Sequence, residues 1–281
     1  MNKIALRINP QKDGDLSLAK KVLSVLKTFC EKIYIEKEYA ASFSGVEAYT
    51  DDDFPKDAEL LLVLGGDGTM LHTAQLALVH DLPMLGINMG RVGYLASLEC
   101  EELDLLTALA EDGFVEKKHM ILQVEKMGDS GLTLLGYALN DVVFDGKGHL
   151  ADIRLYDGDN FIDYRADGLI AATPTGSTAY SFSAGGPVMD EGMDAICVTP
   201  VCPRSFFSRS LLFSPESVLR VVNIGVRNGD LAVSIDGHIH LSFANGESVM
   251  VRRAPKCVRI LSLKERHLLE VLCTKMGAKY F

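Results

Sequence analysis

The sequence has no run of about eighteen apolar residues of the kind that spans a membrane, and its opening, MNKIALRINPQKDG, holds no apolar stretch long enough for the core of a secretion signal. A cytoplasmic location without membrane partners is expected. Basic side chains are in deficit: 28 Lys and Arg stand against 38 Asp and Glu, a formal charge of −10. That balance excludes gripping nucleic acid or anionic lipid through a general positive field, and no nucleic-acid partner is expected. The cysteines, Cys30, Cys100, Cys197, Cys202, Cys257 and Cys273, nowhere take CxxC spacing, so a redox dithiol or zinc knuckle is excluded and free, mostly buried thiols are expected. His238 and His240 are the only close histidine pair, and two ligands do not make a structural metal centre. No GxxxxGK[ST] and no GxGxxG occurs, which removes the P-loop and the ordinary dinucleotide fingerprint.

What remains is ample material for folding. The chain has 281 residues, 48% apolar and 23% charged, which at about 150 residues per domain gives two domains. Over residues 1–115 the pattern alternates strand and helix. Ile4, Leu6 and Ile8 mark a strand, and Leu18, Val22, Val25, Leu26 and Phe29 mark a helix capped at Asp15 or Ser17. Leu60 to Leu64 and Met84 to Ile87 read as strands of a buried parallel sheet, a helix starts near Thr69, and another carries Leu103, Leu106 and Leu109. This is a doubly wound α/β domain. From 116 to 263 strand-sized segments separated by turn residues predominate, with Asp236-Gly237 a tight hairpin turn, so the second domain is β-rich. Residues 264–281 return to helical spacing and are expected to pack back on the first domain.

The densest chemical signal is Gly65-Gly66-Asp67-Gly68-Thr69, placed where a buried strand ends and a helix begins, which is where ligands bind in open α/β sheets. Glycines let a phosphate approach the backbone, and the first N–H groups of the helix face an anion. Asp67 is the odd member, since a carboxylate repels phosphate unless it accepts a proton, holds a cation or orders the loop. A second segment, residues 167–187, concentrates Thr173, Thr175, Ser177, Thr178, Ser181 and Ser183 among glycines and Tyr180, a surface of donors, acceptors and one ring suited to ligand contact. Asn140-Asp141 ends a predicted strand and suits a ribose or base edge.

GGDGT at 65–69, NMGRVGYL at 88–95, LND at 139–141, DGLIAATPTGSTAYSFSAGGP at 167–187 and EVLCTKMG at 270–277 together resemble bacterial NAD kinase, in family order and over most of the chain. GGDGT alone is shared with kinases of lipid and sugar hydroxyls; the long TPTGSTAYS block is far more specific. The resemblance implies the NAD kinase/diacylglycerol kinase-like fold and transfer of the γ-phosphate of ATP to the 2′-hydroxyl of the adenosine ribose of NAD. It implies Asp67 as general base, with Gly68 against the substrate. Asn140 and Asp141 would hold the adenosine, while Asp167, Thr178, Ala179, Tyr180, Ser181, Phe182 and Ser183 would line the dinucleotide site. His72, His149 and Arg165 are further NAD contacts by the same transfer. Magnesium would arrive with ATP, and a homodimer or homotetramer is implied. The chain departs from the family at Arg204, commonly histidine, at Ser210, commonly proline, at His238, often glutamine, and at Met276-Gly277-Ala278, which lacks a frequent tryptophan; this chain has none.

Overall fold

The computed structural model describes residues 1–90, 93–128, 131–204, 207–225, 230–265 and 268–273, with the side chains of Ile239 and His240 outside that description. The chain forms two compact units, residues 1–118 with 258–281, and residues 119–257.

The first unit is built on parallel strands in the order Glu47–Tyr49, Lys32–Glu36, Lys3–Ile8, Leu60–Gly65, Met84–Asn88. Every residue of Leu60–Gly65 and Met84–Asn88 is buried, as expected of strands covered on both faces. Alternation then sorts the faces. Leu60, Leu62 and Leu64 join Leu18, Val22 and Leu26 of the helix Ser17–Leu26 and Leu106 and Leu109 of the 3-10 helix Leu103–Glu111 in one core. On the opposite face lies the helix Asp67–His80: a Cβ at Gly86 would come within 2.7 Å of Met70 Sδ. Helices on both faces are what the α/β reading requires. Lys32–Glu36 and Glu47–Tyr49 are strands that the apolar pattern did not announce, since charged residues flank each within a few positions.

Of the two caps expected for the helix Ser17–Leu26, Asp15 accepts the N–H of Ser17 (3.1 Å), while Ser17 is already the first helical residue and Leu16 holds the N-cap position. Leu16 turns through the left-handed region (φ 58°), and the carboxylate of Asp13, 1% exposed, accepts the N–H groups of Leu18 (3.0 Å) and Ala19 (2.8 Å). Two orphan donors of the first turn are thus satisfied from four residues outside the helix.

The second unit is antiparallel, as its strand-and-turn pattern foretold. One sheet runs Leu211–Phe213, Ile196–Val201, Gly168–Ala172, Asp141–Asp145, Leu231–Ile235, Ile239–Phe243. In the other, Asn160–Ala166, Ala151–Asp157 and Val218–Asn223 neighbour residues 248–252 of the long strand Ser248–Ser262. Residues of both sheets share a core around Phe144 and Phe243, whose rings lie 5.7 Å apart. Ser248–Ser262 runs unbroken through Pro255, which sits at an exposed position where no N–H is needed. Of the cysteines, all free, only Cys197 is buried, while Cys202 and Cys273 are exposed, so the expectation of mostly buried thiols is corrected. Of 264–281, Leu268–Leu272 is helical, and residues 266, 267 and 274–281 lie outside the described residues. Among the described residues no helix is long and apolar enough to cross a membrane.

Candidate active site

In the first unit, strands added on either side of Lys3–Ile8 and Leu60–Gly65 run outward in opposite directions. The carboxyl ends of these two strands therefore flank the point where the order reverses, the usual ligand crevice of such a sheet. GGDGT occupies it together with Asn9-Pro10-Gln11-Lys12, which the sequence reading had passed over. The Asn9 N–H donates to the Leu64 carbonyl (3.0 Å), and its side-chain amide donates to Thr69 Oγ1 (2.8 Å), tying the two loops.

The glycines divide their work. A side chain at Gly65 would run into Thr69, and a Cβ at Gly66 would lie 2.5 Å from the Lys12 ammonium, whereas nothing stands within 4 Å of Gly68. Gly68 is the open approach to the backbone. Lys12 is exposed, and its ammonium makes no side-chain hydrogen bond or ion pair among the described residues.

Asp67 opens the helix half-buried, and its two oxygens accept the N–H groups of Tyr94 (Oδ2, 3.0 Å) and Leu95 (Oδ1, 3.0 Å). Of the three roles left open for it, ordering a loop is thus one that the geometry fulfils. The loop it orders is the NMGRVGYL segment, whose Arg91 and Val92 lie outside the described residues. Each oxygen retains a lone pair for another donor. The Tyr94 hydroxyl is buried without a hydrogen-bond partner among the described residues, and burial, with the nearby Asp67 charge, pushes its phenol pKa up. His72 is on the exposed side of the helix Asp67–His80.

In the second unit the expected residues separate by burial. Asp141 is buried and Asn140 half-buried at the start of the strand Asp141–Asp145. Burial first, and then the charge of Asp236, push the Asp141 carboxyl up to about 7, against the opposing hydrogen bond from the Tyr180 N–H. Tyr180, Phe182 and Ser183 of the short helix Tyr180–Ser183 are exposed, and Thr178 and Ala179 half-buried. Ser181, in the same run, turns inward. It is fully buried, and its hydroxyl bonds Thr199 Oγ1 (3.0 Å), which in turn meets Ser210 Oγ (3.0 Å). Ser210 thereby supplies a hydroxyl partner that a proline could not. Asp167 and His149 are exposed; Arg165 is exposed as well and pairs loosely with Asp152 (3.7 Å), the structural role that competes with a phosphate contact. Arg204 and His238 are exposed.

The residue that sequence reasoning missed here is Asp236, assigned only to a hairpin turn. Its buried carboxylate accepts the N–H groups of Leu139 (2.7 Å), Asn140 (2.8 Å) and Asp141 (3.1 Å). From the other side the loop at Pro174–Gly176 closes on Asn140: a Cβ at Gly176 would fall within 2.8 Å of the Asn140 Cα and collide with its carbonyl oxygen. Gly176→Ala is expected to destabilise the protein by roughly 1–3 kcal/mol, the scale of overpacking, read as a lower denaturant midpoint at unchanged slope. An unaltered midpoint would show the loop to be free to move.

Among the described residues no three His, Cys, Asp or Glu side chains converge as metal ligands, and the His238 and His240 pairing falls on a side chain outside the description.

Two family models match successive parts of the chain. Residues 4–114 match the family described as ATP-NAD kinase N-terminal domain and residues 139–263 the ATP-NAD kinase C-terminal domain. The NAD kinase of Caldanaerobacter subterraneus subsp. tengcongensis is 32% identical, covering 98% of this chain and 99% of that protein. That of Agathobacter rectalis is 34% identical over 96% of each. Among solved structures, yeast NADH kinase complexed with NADH superposes with a TM-score of 0.87 at 21% identity, over 100% of this chain and 89% of that one. An NAD kinase from Archaeoglobus fulgidus in complex with ATP gives 0.72 at 22% identity, over 97% and 99%. These two likenesses bear on the fold.

Proposed function

The chain belongs to the NAD kinase family, and from that premise we propose that it transfers the γ-phosphoryl group of ATP to the 2′-hydroxyl of the adenosine ribose of NAD, giving NADP and ADP. The observation that carries the chemistry is Asp67, held by two backbone N–H groups beside the unobstructed Gly68 at the sheet's switch point. A ribose hydroxyl attacks phosphorus only as its proton finds an acceptor. The remaining lone pairs of the carboxylate supply one. The oxygen of the 2′-hydroxyl bonds to the γ-phosphorus, the bond to the β,γ-bridging oxygen breaks, ADP leaves with that electron pair, and the proton passes to Asp67.

Lys12, beside Gly66 and with no anionic partner among the described residues, suits a phosphate of the donor. Asn140 and Asp141 would hold the adenosine, and Asp167, Thr178, Ala179, Tyr180, Phe182 and Ser183 the rest of the dinucleotide, with His72, His149 and Arg165 as outer contacts. Ser181 belongs to this set through the packing of its neighbours, since its hydroxyl is already committed to Thr199. A magnesium ion would come bound to ATP, with phosphate oxygens and water as most of its ligands, so that no cage of protein carboxylates would be needed. Bound there, it offsets charge on the phosphate oxygens. A homo-oligomer in the cytoplasm is part of the same reading.

Purified protein incubated with NAD, ATP and magnesium should yield NADP, detected by an NADP-specific dehydrogenase, and the yield should vanish with EDTA. Measurable NAD binding without NADP would replace the proposal with another acceptor hydroxyl or a sensor of the dinucleotide.

A further inference from the structure

The turn Leu139–Asp141 has no backbone polar group left over. Its three N–H groups end on the Asp236 carboxylate, at 2.7, 2.8 and 3.1 Å. Its three carbonyls are taken as well. Thr173 Oγ1 donates to that of Leu139 (2.5 Å), the Thr173 N–H to that of Asn140 (2.9 Å), and the Asp236 N–H to that of Asp141 (3.0 Å). Three successive N–H groups converging on one anion form a concavity of the kind that binds phosphate or carboxylate ligands. Here the anion is part of the chain, brought from 95 to 97 residues away by the hairpin between Leu231–Ile235 and Ile239–Phe243.

The hairpin is shaped for this purpose. Asp236 (φ 48°) and Gly237 (φ 69°) both lie in the left-handed region, which Asp and Asn tolerate among residues with side chains. Asp236 is 7% exposed, and N–H donors take the place of water around its carboxylate.

We propose that Asp236 is a positioning residue for the dinucleotide: it fixes the Leu139–Asp141 turn so that the side chains of Asn140 and Asp141 are the only groups of that turn free to engage NAD. This rests on the reading of Asn140 and Asp141 as NAD contacts. It also assigns Asp236 an electrostatic task. Two buried carboxylates this close do not both ionise readily, and the one that accepts three N–H groups is the better placed to keep the charge. Asp141, whose other neighbour is the Tyr180 N–H, therefore holds a proton up to about pH 7 and offers NAD a hydrogen-bond donor. Burial pushes the Asp236 carboxyl up as well, and its three N–H donors, with the charge of His238, oppose that rise.

The test is Asp236→Asn, which keeps the turn's backbone preference and the side-chain volume but replaces one acceptor oxygen by an N–H₂ facing a donor. KM for NAD should rise roughly 10- to 100-fold, the effect of losing a charged buried acceptor, while kcat and KM for ATP stay within about threefold. In the unsubstituted protein KM for NAD should change with an inflection near pH 7, and in the variant that inflection should move to lower pH. An unchanged KM for NAD, or an inflection that stays in place, overturns the proposal. So does a loss shared equally by kcat and both KM values, which is what general loosening would give. Should Asp236→Asn not accumulate as folded protein, Asp236→Glu displaces the charge by one methylene: KM for NAD should still rise with the inflection held near pH 7, and an unaltered KM overturns the proposal. Failure of the unsubstituted protein to make NADP would instead remove the NAD kinase reading itself.

Discussion

Asp67→Asn is expected to lower NADP formation by about 10²- to 10⁴-fold, the scale for removing a general base, with KM for NAD little changed. The amide has no lone pair basic enough to take the ribose proton as the oxygen attacks. The substitution carries a second consequence, because Asp67 already accepts the N–H groups of Tyr94 and Leu95. Either orientation of the amide points an N–H₂ at one of those donors, so part of the NMGRVGYL loop loosens. The two effects separate in measurement. A lost base lowers the single-turnover rate while the Tyr94 and Leu95 amides keep their protection from hydrogen exchange; a lost loop anchor removes that protection and weakens binding as well. Unchanged turnover would take the base role away from Asp67 altogether, and a rate loss that merely follows amide exposure would leave it a loop anchor.

The sequence displayed the elements whose logic is local. A wholly apolar five-residue run ending in two glycines is enough to place Leu60–Gly65 and the loop after it, because burial on both faces leaves no polar position. The alternating segments of the second unit were equally readable, as turn residues separate them. What escaped depends on partners far along the chain. Asp13 lies outside the capping positions that a linear pattern weighs, and only the left-handed turn at Leu16 brings its carboxylate onto Leu18 and Ala19. Asp236 stands in an Asp-Gly pair that fully explains a hairpin, so nothing nearby announces a carboxylate closing on residue 139. Ser181 is the reverse case: a continuous motif hid the fact that neighbours in one helical turn face different ways, with Tyr180 and Phe182 outward and Ser181 on Thr199. Lys12 escaped because its significance lies in where the fold sets its ammonium, over the missing side chain of Gly66.

Asp141→Asn should make the folded protein more stable at pH 8 and remove the pH dependence of its hold on NAD. Burial and the Asp236 charge raise the folded-state pKa of Asp141 from 3.8 to about 7. A carboxyl raised in this way binds its proton more tightly folded than unfolded. Between those two values folding takes up a proton, so the contribution of Asp141 is fully present below pH 3.8 and falls away as pH climbs to about 7. At pH 8 the folded chain carries an ionised, buried carboxylate beside the Asp236 charge. Asparagine removes that charge, and its carbonyl still accepts the Tyr180 N–H. The gain at pH 8 is on the order of a few kcal/mol, a rise in melting temperature of roughly 5 °C or more, and it should shrink steadily toward pH 4. Thermal unfolding of both proteins across that range checks it: equal gains at every pH would mean that packing rather than ionisation sets the difference, and no gain at pH 8 would mean that Asp141 is not held above its ordinary value. The pH dependence of affinity follows from the same side chain. An amide at position 141 keeps a donor but fixes it irrespective of pH, so the variant's KM for NAD should lose its inflection near pH 7.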